Sequence, residues 1–476
     1  MNPVLELVEI QLTRPFDDFI RFFEGEQLPV LLNAPGIKSV RTGPKLLRQS
    51  YQSESNEAVS FTQWESLEAH EAFVQSEAAK GFFQRVSHWI SGPPIVKHYD
   101  VGCKVTVLEQ APEFGEIGAG VQVPPNAARE LIRWGLEEEM EKISSKPAFL
   151  NYRNWRTGEV RGSSKLFDHR TRFGAPYWQV YRPDYHSILL KAALEAGANL
   201  RSGCTVVDYE PGHGTVILES GERVVGDLIV GCDAEPHETG DTCFRAVLKA
   251  EVLHQDPELA PLVTNPGFEQ WYNMQKEKTY NLLMVIPDDH SMVGYKAPAS
   301  ASDVRKAFAG WNTTTTKLLN LIPEDLERWR LIDLRPVSGW IHPSNRMLVI
   351  GDAVHATLPY LAQGAAMAIE DAACLGSLLS KIQSRDKIPE ALALFQEIRQ
   401  TRAHTVQRGS WTNRFFIHMN EGEQYDMRED VFAAGDYPGS PNLMANVLFQ
   451  DWLYGYDVIR DTQRKWQEKF EKIAKL

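Results

Sequence analysis

Residues 347–375, MLVIGDAVHATLPYLAQGAAMAIEDAACL, constrain this chain more than any other stretch. Met347 to Ile350 form a short apolar run, and Gly351-Asp352 closes it. A run of that length bounded by a turn residue reads as an inner strand of an α/β sheet. A loop containing Pro359 follows, and Gln363-Gly364 then opens an alanine-rich helix. Strand, turn, loop and helix in that order make a ligand-binding turn. A carboxylate at the carboxyl end of a strand accepts hydrogen bonds from a chain of hydroxyls, and the free N–H groups of a helix start favour an anion or a polarised carbonyl.

At 476 residues the chain has room for two or three domains and a large core. A net charge of −13 argues against a phosphate-backbone footprint, so no nucleic-acid partner is expected. The cysteines Cys103, Cys204, Cys232, Cys243 and Cys374 are scattered, with no C-x-x-C and no histidine spacing suited to zinc. They read as free thiols of a reducing compartment, and no metal is expected. The N-terminal MNPVLELVEI lacks a basic region ahead of its apolar residues, and no apolar run reaches the length of a membrane span. A cytoplasmic protein without a membrane partner is the expectation.

The first hundred residues have their own rhythm. Val4 to Gln11 alternates as a strand, and Phe16 to Leu32 has helical period up to Ala34-Pro35-Gly36. Ile37 to Arg41 and Asn56 to Trp64 read as further strands. Leu67 to Ile90 reads as a helix stopped by Ser91-Gly92-Pro93-Pro94, and Ile95 to Tyr99 as a closing strand. This β-α-β-β-α-β order suggests a ferredoxin-like unit. With FTQWES (Phe61 to Ser66) and the helix after it, residues 1–100 resemble the antibiotic-biosynthesis-monooxygenase family of dimeric α+β barrels. The resemblance implies a homodimer through this domain. Trp64, His70, His88 and Trp89 are candidates to line a barrel interior, although aromatic residues at helical spacing are usually core or dimer interface.

From Lys104 onward the sequence resembles the class A FAD-dependent aromatic hydroxylases, the salicylate hydroxylase-like monooxygenases. The resemblance is carried by KVTVLEQ ending in Glu109, by EFGEIGAGVQVPPNAARELIRWGL, by Tyr181-Arg182-Pro183-Asp184, by VVGDLIVGCD, by the run at 347–375 and by the tail WLYGYDV. It implies FAD as cofactor and NAD(P)H as co-substrate. Oxygen from O2 would enter an aromatic or polyketide-type small molecule, in secondary metabolism or aromatic degradation. It also implies roles for residues. Glu109 would meet the adenosine ribose, and Arg129 and Arg182 the diphosphate or flavin edge. Asp352 would hold the ribityl hydroxyls and Pro359 border the ring. Gly364, Ala365 and Ala366 would sit under its pyrimidine end. His355 is expected to be a structural contact of the loop. No catalytic residue is assigned, and Arg245 is left without a role.

Three departures stand out. No strand with G-x-G-x-x-G precedes Lys104, and Gly115, Gly118 and Gly120 offer only G-x-x-G-x-G after the Glu109 strand. Gly231-Cys232-Asp233 is followed by Ala234, without the short Ser- and Arg-bearing helix of the family. Phe268 to Trp271 runs straight into Tyr272, where the family has a Gly-Pro-x-x-His strand pair. The expected fold is a ferredoxin-like α+β barrel domain over 1–100, followed by an incomplete Rossmann-like α/β FAD-binding domain over 101–240 and 335–400. An antiparallel substrate sheet is inserted at 241–334, and 401–476 forms a helical region. A flavin-free relic or fused product, acting only through residues 1–100 by dimerisation or cofactor-independent oxygenation, is the alternative.

Overall fold

The computed structural model describes residues 4–11, 21–34, 37–44, 57–64, 67–87, 95–100, 104–113, 120–233, 237–264, 267–268, 272–274, 278–382 and 384–471. The chain divides into two units between Cys103 and Lys104.

In the first unit, β1 (Val4–Gln11), β2 (Ile37–Pro44), β3 (Glu57–Trp64) and β4 (Ile95–Asp100) form one sheet in the order β2-β3-β1-β4, every neighbour antiparallel. The helical stretch read from Leu67 is broken into Leu67–Val74 and Glu77–Val86. The cause is local: the Ser76 side chain accepts a hydrogen bond from the N–H of Ala79 and starts a second helix there. Phe23, Leu31, Phe73, Ala79 and Val86 are buried among the helices. His88, Trp89 and the side chains of Trp64 and His70 lie outside the described residues.

The second unit holds three short parallel pairs, one of them Gly267–Phe268 beside Phe149–Arg153. Thr106–Leu108 pairs with Asn199–Arg201, and Ile229–Gly231 with Met347–Val349. Met347–Val349 is occupied on both edges, because Ile341 bridges Leu348 from the other side. Among the described residues, Thr106–Leu108 and Ile229–Gly231 each keep an unpaired edge. Val105 and Val107 are correspondingly 48% and 43% exposed, unusual for apolar residues of a parallel sheet. Glycines 115 and 118 lie outside the described residues.

A five-stranded antiparallel sheet carries the other half of the unit. His237–Lys249 lies at its centre between Thr279–Pro287 and Asp325–Asp333, with Tyr272–Met274 and Lys296–Ser300 outside. Period-2 alternation gives the central strand two different faces. Phe244, Ala246 and Leu248 enter a core with Leu253, Leu282, Val304 and Leu318, where each large side chain contributes roughly 1.5–3 kcal/mol. The other face turns toward the loop after Met347–Val349. Two helices back that loop: α1 (Gly364–Leu379) and α2 (Ile388–Ile417). Pro389 in the first turn of α2 costs no intrahelical bond, and its 30 residues span about 45 Å.

Candidate functional site

The site is built around the loop that joins Met347–Val349 to α1. Gly351 ends the strand at φ 59° and ψ −141°, a conformation that side-chain-bearing residues avoid. A Cβ there would stand 3.5 Å from that of Ala368, so the turn lies directly against α1. Asp352 follows, exposed and without a hydrogen-bond or ion-pair partner among the described residues. Pro359 and Ala365 are also exposed, Gly364 is half-buried and Ala366 packs into the core. No side chain caps the start of α1, so its first-turn N–H groups are left for a ligand.

The loop is held by side chains of α2. Gln407 donates to the carbonyls of Leu334 and Ala356 at 2.9 and 3.1 Å. Ser410 donates to Leu358 O at 2.6 Å and Asn413 to Tyr360 O at 3.0 Å. All three are buried, and their spacing of three residues puts them on one helix face while alternate loop carbonyls turn toward it.

Beneath the turn lie four buried charges. Arg399 donates to Asp371 Oδ1 at 2.8 Å and to Glu370 Oε2 at 2.5 Å, and Arg402 grips both oxygens of Glu370. Burial alone would raise both carboxyls, but the guanidiniums hold them below the usual range, with Arg402 foremost at Glu370 and Arg399 at Asp371. His355 is a structural contact, as expected: its Nε2 lies 2.6 Å from Asp371 Oδ2 and the residue is 1% exposed. The ionised Asp371 can only accept, which puts the His355 proton on Nε2.

Across from the loop stands the site-facing row of the antiparallel sheet. Cys243 packs with Leu358 and Tyr360, and Val247 against the cluster that contains Met367 of α1. Arg245, between them on the same face, is exposed and pairs with no carboxylate among the described residues. Asn281 Oδ1 accepts the Gly120 N–H at 3.0 Å, bringing the strand Gly120–Val123 to this wall. Asp241 joins the row to α2 by accepting two bonds from Arg414 and one from the Tyr360 hydroxyl.

The remaining expected residues are scattered. Glu109 lies at the end of Thr106–Leu108, where Oε1 accepts the Ala111 N–H at 2.8 Å. Arg182 is exposed at the start of the helix Arg182–Glu195, adjoining the Gly120 strand through the Gly120–Tyr181 pair. Arg129 is committed elsewhere, its guanidinium donating to the carbonyls of Phe173, Tyr454 and Tyr456. In place of an open cofactor contact, it ties the tail to its own helix. Sequence reasoning missed Arg245 and the Gln407, Ser410 and Asn413 ladder. For the ladder the signal was available, as three polar residues at spacing three inside an otherwise apolar helix face. Glu238, Asp288 and His290 have metal-ligand spacing, but Arg330 already pairs with both carboxylates and Arg328 with Asp288 as well.

Comparison with known proteins places the chain in a family. The profile of the FAD binding domain family matches residues 99–410. The FAD-dependent monooxygenase OpS4 of Beauveria bassiana is 31% identical over 387 residues, covering 75% of this chain and 90% of its own. The 3-hydroxybenzoate 6-hydroxylase 1 of Aquipseudomonas alcaligenes is 29% identical over 380 residues, covering 75% and 93%. A salicylate hydroxylase substrate complex shares the fold with a TM-score of 0.58 at 20% identity, covering 76% of this chain and 97% of that one. The chain belongs to the FAD binding domain family, and within it to the FAD-dependent monooxygenases.

Proposed function

We propose that this chain hydroxylates an aromatic or polyketide-type small molecule in the space between the site-facing row and the loop at 351–364. One observation carries the reading: an exposed Asp352, without a partner among the described residues, follows a turn packed on α1, whose start no side chain caps. FAD fits these groups at its ribityl and ring ends. Asp352 accepts from the ribityl hydroxyls, and the N–H groups of Gly364 to Ala366 with the α1 dipole favour negative charge at the pyrimidine edge. Open space at the Gly364 Cβ position, with only Thr357 Cγ2 at 3.8 Å, lets a flat ring approach the backbone. At the adenosine diphosphate end Arg182 is available to the diphosphate and Glu109 to the ribose, and no G-x-G-x-x-G occurs in the chain. When bound, FAD supplies the redox chemistry, taking electrons from NAD(P)H and delivering oxygen from O2 to the substrate ring. The protein's part is to orient that ring against Pro359 and exclude water with Cys243, Val247 and Leu283. Arg245 supplies positive charge on the substrate side, suited to a phenolate or carboxylate.

The absorption spectrum of the full chain after FAD incubation and desalting tests this. Retained oxidised-flavin bands in the wild type, lost in Asp352→Ala, are expected. A chain that stays colourless refutes the reading and leaves the flavin-free alternative, in which residues 1–100 alone work.

We further propose that residues 1–100 form an antibiotic-biosynthesis-monooxygenase-like domain that pairs two chains. The β2-β3-β1-β4 order of a ferredoxin-like sheet supports this. Light scattering of the full chain should give twice the monomer mass, and a monomer at micromolar concentration would rule it out. Among the described residues no helix is long and apolar enough to cross a membrane. A cytoplasmic location remains part of the proposal.

A further inference from the structure

The last sheet bond of the strand Met347–Val349 runs from the Ile350 N–H to the Gly231 carbonyl at 3.0 Å. The next N–H, that of Gly351, leaves the sheet and donates to Asp371 Oδ2 at 2.9 Å. The same oxygen takes the His355 Nε2 proton, while Oδ1 is held by Arg399. Asp371 is 0% exposed, so the Ile350–Gly351 peptide, one link before the peptide bond to Asp352, is oriented by a carboxylate fixed on both oxygens. The linkage continues to the far end of the loop. Glu370, bound to Arg399 and Arg402, accepts from Asn126 Nδ2 at 2.7 Å, and Asn126 donates also to Gln363 Oε1 at 3.0 Å. Arg402 closes the network on the carbonyls of Trp452 and Leu453, which gives the WLYGYDV tail a place in it. Two carboxylates and two guanidiniums leave it electrically balanced. Glycine is the residue most free to turn; the Gly351 carbonyl accepts from the Val354 and His355 N–H groups at 3.1 and 2.9 Å, and Asp371 restrains its other side by accepting its N–H.

We infer that Asp371 is a positioning residue for the flavin, holding the Gly351 peptide so that Asp352 faces the ribityl chain. The inference rests on the proposed FAD site. It acts through Asp352 and touches no cofactor atom.

Two measurements on the full chain decide it. The first is the FAD dissociation constant of the apo protein, from flavin fluorescence, for wild type, Asp352→Ala, Asp371→Asn and the double variant. A lost hydrogen bond to a charged group corresponds to roughly 10- to 100-fold, expected of each single variant. Because both remove one contact, the double variant should bind within about twofold of Asp352→Ala alone. Multiplying effects, or an Asp371→Asn within about twofold of wild type, would overturn the inference. The second is hydrogen exchange in the apo protein, where Asp371→Asn should speed the Gly351 amide about tenfold and leave Val349 and Ile350 unchanged. If Asp371→Asn does not fold, Arg399→Lys keeps the charge but gives up the Nε bond to Asp371, and the same pattern is expected. A wild type that binds no FAD sinks the proposed function, and the exchange result then reports on the Gly351 lock separately. An unchanged Gly351 amide overturns the lock itself.

Discussion

His169 is 0% exposed, its ring between Phe173, Tyr177 and Tyr454 at centroid distances of 5.0, 5.7 and 5.1 Å. Among the described residues neither ring nitrogen has a hydrogen-bond partner. Burial pushes its pKa down to about 4; Asp168 and the Lys165 backbone pull weakly upward, and Arg172 adds to the depression. The folded value is lower than the 6.5 of the free side chain, so the fold favours the neutral ring. The stability this carries is complete above pH 6.5 and is withdrawn as the pH falls toward 4. The whole gap is worth about 3 kcal/mol, of which about 2 kcal/mol is gone at pH 5. His169→Phe keeps an aromatic ring in the cage and removes the titration. Urea unfolding of both proteins at pH 7.5, 6 and 5 should show the wild type losing about 2 kcal/mol relative to the variant across that span. A difference constant within about 0.5 kcal/mol would refute a buried neutral imidazole, since a hydrated ring would titrate alike in both states.

Glu130 runs in the opposite direction. Fully buried, it has its pKa raised to about 7 by burial, against the pull of Arg133. Its contribution is complete below the unfolded value and is lost as the pH rises through about 7, so Glu130→Gln should flatten the stability profile between pH 5 and 8 and gain about 2 kcal/mol at the upper end, by urea titration. Arg129→Met strands the carbonyls of Phe173, Tyr454 and Tyr456, and should cost about 3 kcal/mol in urea with FAD affinity nearly unchanged. Lost FAD at unchanged stability would instead return Arg129 to the cofactor. A Cβ on Gly162 would stand 1.6 Å from the Phe432 carbonyl oxygen, so Gly162→Ala must push the helix Glu423–Ala434 away. A drop of more than about 3 kcal/mol, or no soluble protein, is expected from expression and thermal melts.

Local pattern made much of this legible. The strand Val4–Gln11 and the closing strand at Ile95 lie where alternation puts them, and the Gly351-Asp352 turn stands where a short apolar run meets a glycine. The break at Ser76 was legible only as a capping signal, which helical periodicity overrides. The carbonyl partners of Arg129 were not legible because they lie 44 and more than 300 residues away, and spacing along a helix carries no trace of a carbonyl on another segment. Arg245 stayed unassigned because its value depends on which face of the strand Cys243 and Val247 take, settled only by packing. Glu370 and Asp371 were readable as acids inside an apolar helix, where charge without a partner is too costly to keep. Their arginines lie on a different helix and could not be matched to them.

The helix α2 has a consequence for exchanging parts between this chain and its relatives. Arg399 and Arg402 hold the network under the turn, Gln407, Ser410 and Asn413 take the carbonyls of residues 356, 358 and 360, and Arg414 reaches Asp241 on the sheet. From Arg399 to Arg414 is about 22 Å of one helix, so loop and sheet are set at a separation fixed by its rise. Residues 351–364 and α2 therefore behave as one inheritance block. A chimera with its crossover between them would match foreign side chains to carbonyls they were not spaced for. One that carries both, and varies only Cys243, Arg245 and Val247, would keep the frame and change what fits inside it.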